Sequence, residues 1–185
     1  MKTYQIVFFG LMCVAQWYVP GAMIVAQETV LRSGKVFRFK TAPVDPSDPF
    51  RGKYITLDFE SEVYKHNNDR QWERGETVFV LLRENEYGFA QISDIADSEP
   101  IDAIDFFKAE VAFSDEETVR VNFPFDRFYL EESKAFQAEK IYRERQNDST
   151  QTAYAVVRIK NGQAVLEDVL INDRSIVDIV RELQN

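Results

Sequence analysis

Few side chains in this sequence have the types and spacing that chemistry needs. Asp45 and Asp48 lie in VDPSD, and closely spaced oxygen ligands on a loop can hold calcium. No EF-hand spacing or glycine pivot accompanies them, and acids in proline-rich loops ordinarily accept backbone hydrogen bonds in turns. Asp94, Asp97, Glu99, Asp102 and Asp105 form an acidic run that could supply paired catalytic carboxylates. Its plainer reading is a solvated loop between strands. Ser133 and Lys134 are adjacent, but neighbours on a helix do not face each other, so a Ser–Lys nucleophile would have to assemble from distant residues. The one histidine, His66, sits in the polar stretch HNNDR and reads as a surface side chain. There is no glycine-rich phosphate loop, Walker pattern or GxSxG elbow. The expectation is therefore no catalytic residue, no metal and no cofactor, with an envelope hydrolase using Ser–Lys or carboxylate chemistry as the alternative.

The elements that would position these residues follow from composition and pattern. The chain has 185 residues and a formal net charge of -9, from 22 Lys+Arg and 31 Asp+Glu. An acidic balance of this size argues against a nucleic-acid partner, whose phosphates demand clustered cations. One cysteine excludes an intrachain disulfide and a cysteine-based zinc site. Hydrophobic residues at 45% and aromatics at 14% are enough for a packed core.

Tyr4 to Ala26 carries no charge and is about 23 residues long, enough to cross the hydrocarbon of a bilayer as a helix. An uncleaved anchor over 1–26 is expected. A signal sequence cleaved after Ala26 is the alternative, although Ile24 is large for the minus-three position. Arg38 and Lys40 alternate with Phe37 and Phe39 and so belong to a strand rather than to a topogenic flank. The expected arrangement is single-pass in a bacterial cytoplasmic (inner) membrane, with the large domain outside the cytoplasm.

Residues 27–185 read as one domain. Period-two alternation marks strands at Lys35–Thr41 and Lys53–Glu60, the latter with Ile55, Leu57 and Phe59 on its inner face. Tyr54 falls on the opposite face from Leu57. Val63–Arg74 is polar and reads as an excursion. Further strands are expected at Thr77–Leu82, Phe89–Ile92, Asp105–Phe113 and Thr118–Phe123. Asn161-Gly162 joins Ala153–Lys160 to Gln163–Ile171 and is the strongest hairpin signal in the chain. Leu130–Arg145 has helical character, with Ala135, Ala138, Ile141 and Tyr142 as its stripe. A last helix starts at Ser175 as cap, with Asp178 completing a capping box and Ile176, Ile179, Val180 and Leu183 facing inward. The fold class is α+β and β-rich: a single compact extracytoplasmic domain of about six to eight mostly antiparallel strands and two helices, behind a transmembrane helix.

Residues 42–60, APVDPSDPFRGKYITLDFE, resemble the diagnostic region of the GDYXXLXY protein family. Gly52, Tyr54 and Leu57 match the motif, Lys53 stands in place of its acid, and Phe59 in place of its second tyrosine. Pro43, Asp45 and Pro46, followed by Phe50 and Arg51, are similar to the family's proline-rich lead-in. FDRFYLEE at 125–132 resembles its aromatic segment, with Phe128 and Tyr129 preceding Glu131. The resemblance implies a membrane-anchored bacterial protein without an assigned activity, tied to the cell membrane and partnered with a multi-spanning membrane protein. With Lys53 in place of the acid, this chain cannot use that position as a catalytic carboxylate. Asp45, Pro46, Arg51, Gly52, Tyr54, Leu57, Phe128, Tyr129 and Glu131 are then structural or interaction residues. Gly52 would permit a tight turn, and Arg51 would pair with Asp45 or Asp48. A small-ligand or lipid carrier would require a hollow barrel.

Overall fold

The structure, a computed structural model, describes residues 3–42, 54–66, 70–101, 105–131, 138, 142 and 152–183. Asp45, Pro46, Arg51, Gly52, Ser133 and Asp102 lie outside these residues.

A single helix, α1 (Thr3–Ser33), opens the chain. It has no polar face until Gln27, and Val7–Ser33 has a mean hydropathy of 1.6 with none of its most apolar window buried. It is long and apolar enough to cross a bilayer. The helix runs past Ala26, the expected end of the apolar segment, and its last turns are polar, closed by an i,i+4 pair between Glu28 and Arg32 at 2.7 Å. Val30 is buried in this part, and only Gly34 separates the helix from the first strand.

Two five-stranded antiparallel sheets and a two-stranded ribbon make the body. The first sheet contains β1 (Lys35–Ala42), β3 (Asp58–Phe59), β10 (Ala153–Lys160), β11 (Gln163–Ile171) and β12 (Arg174–Ser175), in the order β12-β11-β10-β1-β3. The second contains β4 (Val63–Lys65), β5 (Thr77–Glu84), β6 (Ala90–Ala96), β7 (Phe106–Ser114) and β8 (Thr118–Asn122), in the order β4-β8-β7-β5-β6. The ribbon pairs β2 (Tyr54–Thr56) with β9 (Arg127–Tyr129). A short 3-10 turn at Glu60–Glu62 carries the chain from the first sheet into the second. The β10–β11 hairpin turns through Asn161 and Gly162, both at positive φ (50° and 75°), as a two-residue turn of the I′ kind requires. The closing helix α2 (Ile176–Leu183) is capped by Ser175, whose Oγ accepts the Val177 N–H at 3.3 Å. Asp178 does not complete a box; its carboxylate takes Arg181 at 3.0 Å. Of the expected helix at Leu130–Arg145, Ala138 and Tyr142 are described, and both are helical and buried.

The β-rich α+β class holds, but with twelve strands among the described residues rather than six to eight. The seven strands of five residues or more each overlap one expected from alternation, an apolar run or a hairpin turn. Of the remaining five, β2 and β3 fall within the alternation at Lys53–Glu60, and β4, β9 and β12 span two or three residues each, too short for an alternation to register. Lys53–Glu60 is not one strand: Leu57 donates its N–H to Asp126 O at 2.8 Å, and the segment then leaves the ribbon for the first sheet.

The sheets close on a phenylalanine core. Phe39 touches the rings of Phe59, Phe107, Phe123 and Phe125 at centroid distances of 5.9, 6.3, 5.5 and 5.0 Å. All five side chains are buried, and they come from β1, β3, β7 and the turn after β8. Each contributes about 1.5–3 kcal/mol through burial. The space between the sheets is thus filled with side chains.

Candidate functional site

The two segments that carry the family-like motifs are hydrogen-bonded to each other. Tyr54 is opposite Tyr129, Ile55 opposite Phe128, and Thr56 opposite Arg127. Ile55 is buried, and Phe128 packs against the core from the same side. The other face carries Tyr54 and Tyr129, with ring centroids 5.3 Å apart, and the Arg127 guanidinium 5.2 Å from the Tyr54 centroid. Cross-strand aromatic pairs stabilise a ribbon, and a guanidinium over a ring adds to them. The guanidinium is held above its usual pKa, chiefly by its hydrogen bond with Tyr129 and then by the charge of Asp126. Tyr129 remains 65% exposed, and Glu131 beyond it is exposed as well. Leu57 lies in the core, as opposite-face spacing requires.

Beside the ribbon lies a recess of about 270 Å³ lined by Thr56, Asp58, Glu62, Arg120, Asn122 and Asp126. Glu62 is buried, and Arg120 donates to its Oε2 at 3.1 Å. Burial is the largest influence on this carboxyl and pushes it up to about 7, against the opposing hydrogen bond and charge of Arg120; Asp58 and Asp126 add smaller upward pushes. A carboxyl poised near neutrality beside an arginine can move a proton or fix a strand crossing. Sequence reasoning missed it, because Glu62 follows a run of polar residues and nothing in its spacing marks it as inward.

The raised value has a stability consequence. In the unfolded chain the group titrates near 4.5 and in the folded chain near 7. Between those values the folded state holds a proton that the unfolded state has released, so stability falls as pH rises through this window. At 1.36 kcal/mol per unit, the full window corresponds to about 3–4 kcal/mol, an upper bound because solvent screens the part of the carboxyl that remains accessible. Glu62→Gln should remove this component. Urea midpoints at pH 5 and pH 7.5 check it, and equal pH dependence of the two proteins would count against it.

The other candidates are dispersed. Asp94 Oδ1 accepts the Ile95 N–H, Asp97 accepts Trp72 Nε1 at 3.0 Å and pairs with Arg70, and Asp105 pairs with Lys35 at 2.5 Å. These acids hold separate parts of the framework and do not converge. His66 is not a surface side chain. It is buried, its ring edge-on to Trp72 at 5.0 Å, and its backbone N–H donates to Glu117 O at 3.0 Å. The polar appearance of Val63–Arg74 concealed β4 and the buried Trp72, whose indole anchors the segment between β4 and β5. Among the described residues no group of three or more His, Cys, Asp or Glu side chains could hold a metal ion.

A family model described as GDYXXLXY protein matches residues 16–169. No curated protein and no solved structure matches the chain.

Proposed function

The chain belongs to the GDYXXLXY protein family, and from that premise we propose that it is a membrane-anchored, non-enzymatic interaction module whose β-rich body binds another cell-envelope protein. The observation that carries this reading is the ribbon itself. Both motif segments meet there, and their outward face presents a tyrosine pair under an arginine. Tyrosine and arginine dominate binding hot spots because they combine large contact area with directional polar ends. The apolar length of α1 supports an anchor, a single pass with the body outside the cytoplasm of a bacterial inner membrane. A multi-spanning membrane protein is the partner class that fits such an anchor.

Crosslinking in intact membranes followed by mild-detergent pull-down tests the reading. Wild type should recover a membrane partner, and Arg127→Ala with Tyr129→Ala should weaken that recovery at least tenfold, about 1.4 kcal/mol or more. Failure of wild type to recover any partner with the crosslinker present ends the proposal. Carbonate extraction and protease protection test the anchor and its orientation.

A carboxylate hydrolase is the second reading, favoured by Glu62 and its neighbours Asp58 and Asp126. It requires Glu62→Gln to abolish an activity that wild type displays. A lipid or small-ligand carrier would need a hollow between the sheets, where the five phenylalanines pack instead.

A further inference from the structure

The second sheet ends in two edge strands, β4 and β6, and both line the same groove. The sheet is therefore curled until its unpaired margins approach each other across a space of about 390 Å³. The Tyr64 hydroxyl of β4 reaches across and donates to the Ser93 carbonyl of β6 at 3.3 Å. A side chain thus serves a backbone group that a neighbouring strand would otherwise serve. Edge strands with unserved N–H and C=O groups are templates for an added strand.

The lining is rich in donors and positive charge. Lys40, Lys65 and Arg83 contribute to it in a chain of net charge -9. Lys40 pairs with Glu60 at 2.9 Å, while Lys65 and Arg83 pair with no carboxylate among the described residues. Asn85 Oδ1 is occupied by the Tyr87 and Phe89 N–H groups at 2.9 and 3.0 Å, so its amide N–H groups remain to donate into the groove. Ser61 Oγ is buried in the wall with no hydrogen-bond partner. Val63 of β4 is 48% exposed and apolar, and Phe89 and Ile92 stand in the opposite wall. An extended strand presents alternate side chains to opposite faces, so apolar and acidic residues in alternation would meet the apolar and cationic parts of such a lining.

We propose that the groove between β4 and β6 binds an extended acidic peptide segment of the partner protein by strand addition, with Lys65 and Arg83 selecting its carboxylates. This rests on the interaction-module reading and names the surface and the chemistry of what docks there. A basic or proline-rich segment is disfavoured, by charge in the first case and by missing N–H donors in the second.

The test uses the full chain in detergent micelles and a fluorescein-labelled ten-residue peptide alternating valine or threonine with glutamate. Fluorescence anisotropy should show saturable binding. A matched peptide with lysine for glutamate, and one with two central prolines, should each bind at least tenfold more weakly. The double variant Lys65→Glu with Arg83→Glu changes exposed side chains, and an unchanged melting temperature will show that it folds. It should weaken the acidic peptide at least tenfold. Equal binding of the acidic and lysine peptides, or full binding by the double variant, overturns the proposal. So does undiminished binding of the proline peptide with displacement by inorganic phosphate, which would mark a small-anion site. The crosslinked pull-down separates the two levels. Partner recovery by wild type and equally by the double variant ends the groove assignment and leaves the interaction module standing. No recovery by wild type ends the module itself.

Discussion

Phe39→Ala should cost about 3–5 kcal/mol of folding stability. Phe39 is fully buried and touches the other four rings of this phenylalanine cluster, as Phe123 and Phe125 also do. Removing it would strip one packing partner from both sheets at once, and the remaining rings are themselves interlocked. Phe107, Phe123 and Phe125 lie within 5.1–5.4 Å of one another and cannot all shift to fill the void. A domain of ordinary stability holds about 5–15 kcal/mol in total, so the variant should sit near the edge of folding. Phe113→Ala is the control. Its side chain is 59% exposed on β7 of the second sheet, and its loss should stay within about 0.5 kcal/mol. Guanidinium denaturation of both variants measures the contrast, and similar midpoints would refute the claim that the Phe39 ring holds the two sheets together.

How much of this was legible beforehand varies with the length of the signal. Long strands were readable because their signal extends over several residues: the alternation of Phe37 and Phe39 on β1, and the continuous apolar run at Thr77–Leu82 on β5. The Asn161-Gly162 turn was readable because its backbone demands residues that tolerate positive φ. Strands β4, β9 and β12 were not, since two or three residues carry no period and their pairing is decided by remote partners, while β2 and β3 share the alternation of Lys53–Glu60 and only the break between them was hidden. Tyr54 and Tyr129 were both marked by motif, yet their contact joins residues 75 positions apart through a register that no local pattern encodes. The same limit hid His66 and Glu62. Polar side chains enter a core only where a tertiary partner receives them, here Trp72 for the histidine and Arg120 for the acid.

The junction between helix and sheet depends on the absence of one side chain, and Gly34→Val should show it. A Cβ at position 34 would lie 2.6 Å from Val30 O and 3.1 Å from both Ile159 N and Ile159 O. All three are backbone atoms, which cannot rotate away as a flexible side chain would. The same glycine donates its N–H to Val30 O at 2.7 Å, which closes the end of α1, and Lys160 Nζ bonds Ser33 Oγ at 2.7 Å, which fastens that last turn to β10. Valine must therefore either break the helix end or push it from the sheet, at a cost of about 3 kcal/mol. With the proposed anchor in a bilayer, this also changes how the body is held over the membrane, because no linker other than Gly34 intervenes. Two measurements distinguish a strained junction from general misfolding. The melting temperature of the full chain in micelles should drop. A nitroxide pair at Arg32 and Glu167 should show a broadened distance distribution while the near-ultraviolet circular dichroism of the aromatic core stays native. An unchanged distribution together with an unchanged melting temperature would mean that the helix and the sheet are not rigidly joined at all. The close approach around Gly34 would then have no mechanical role.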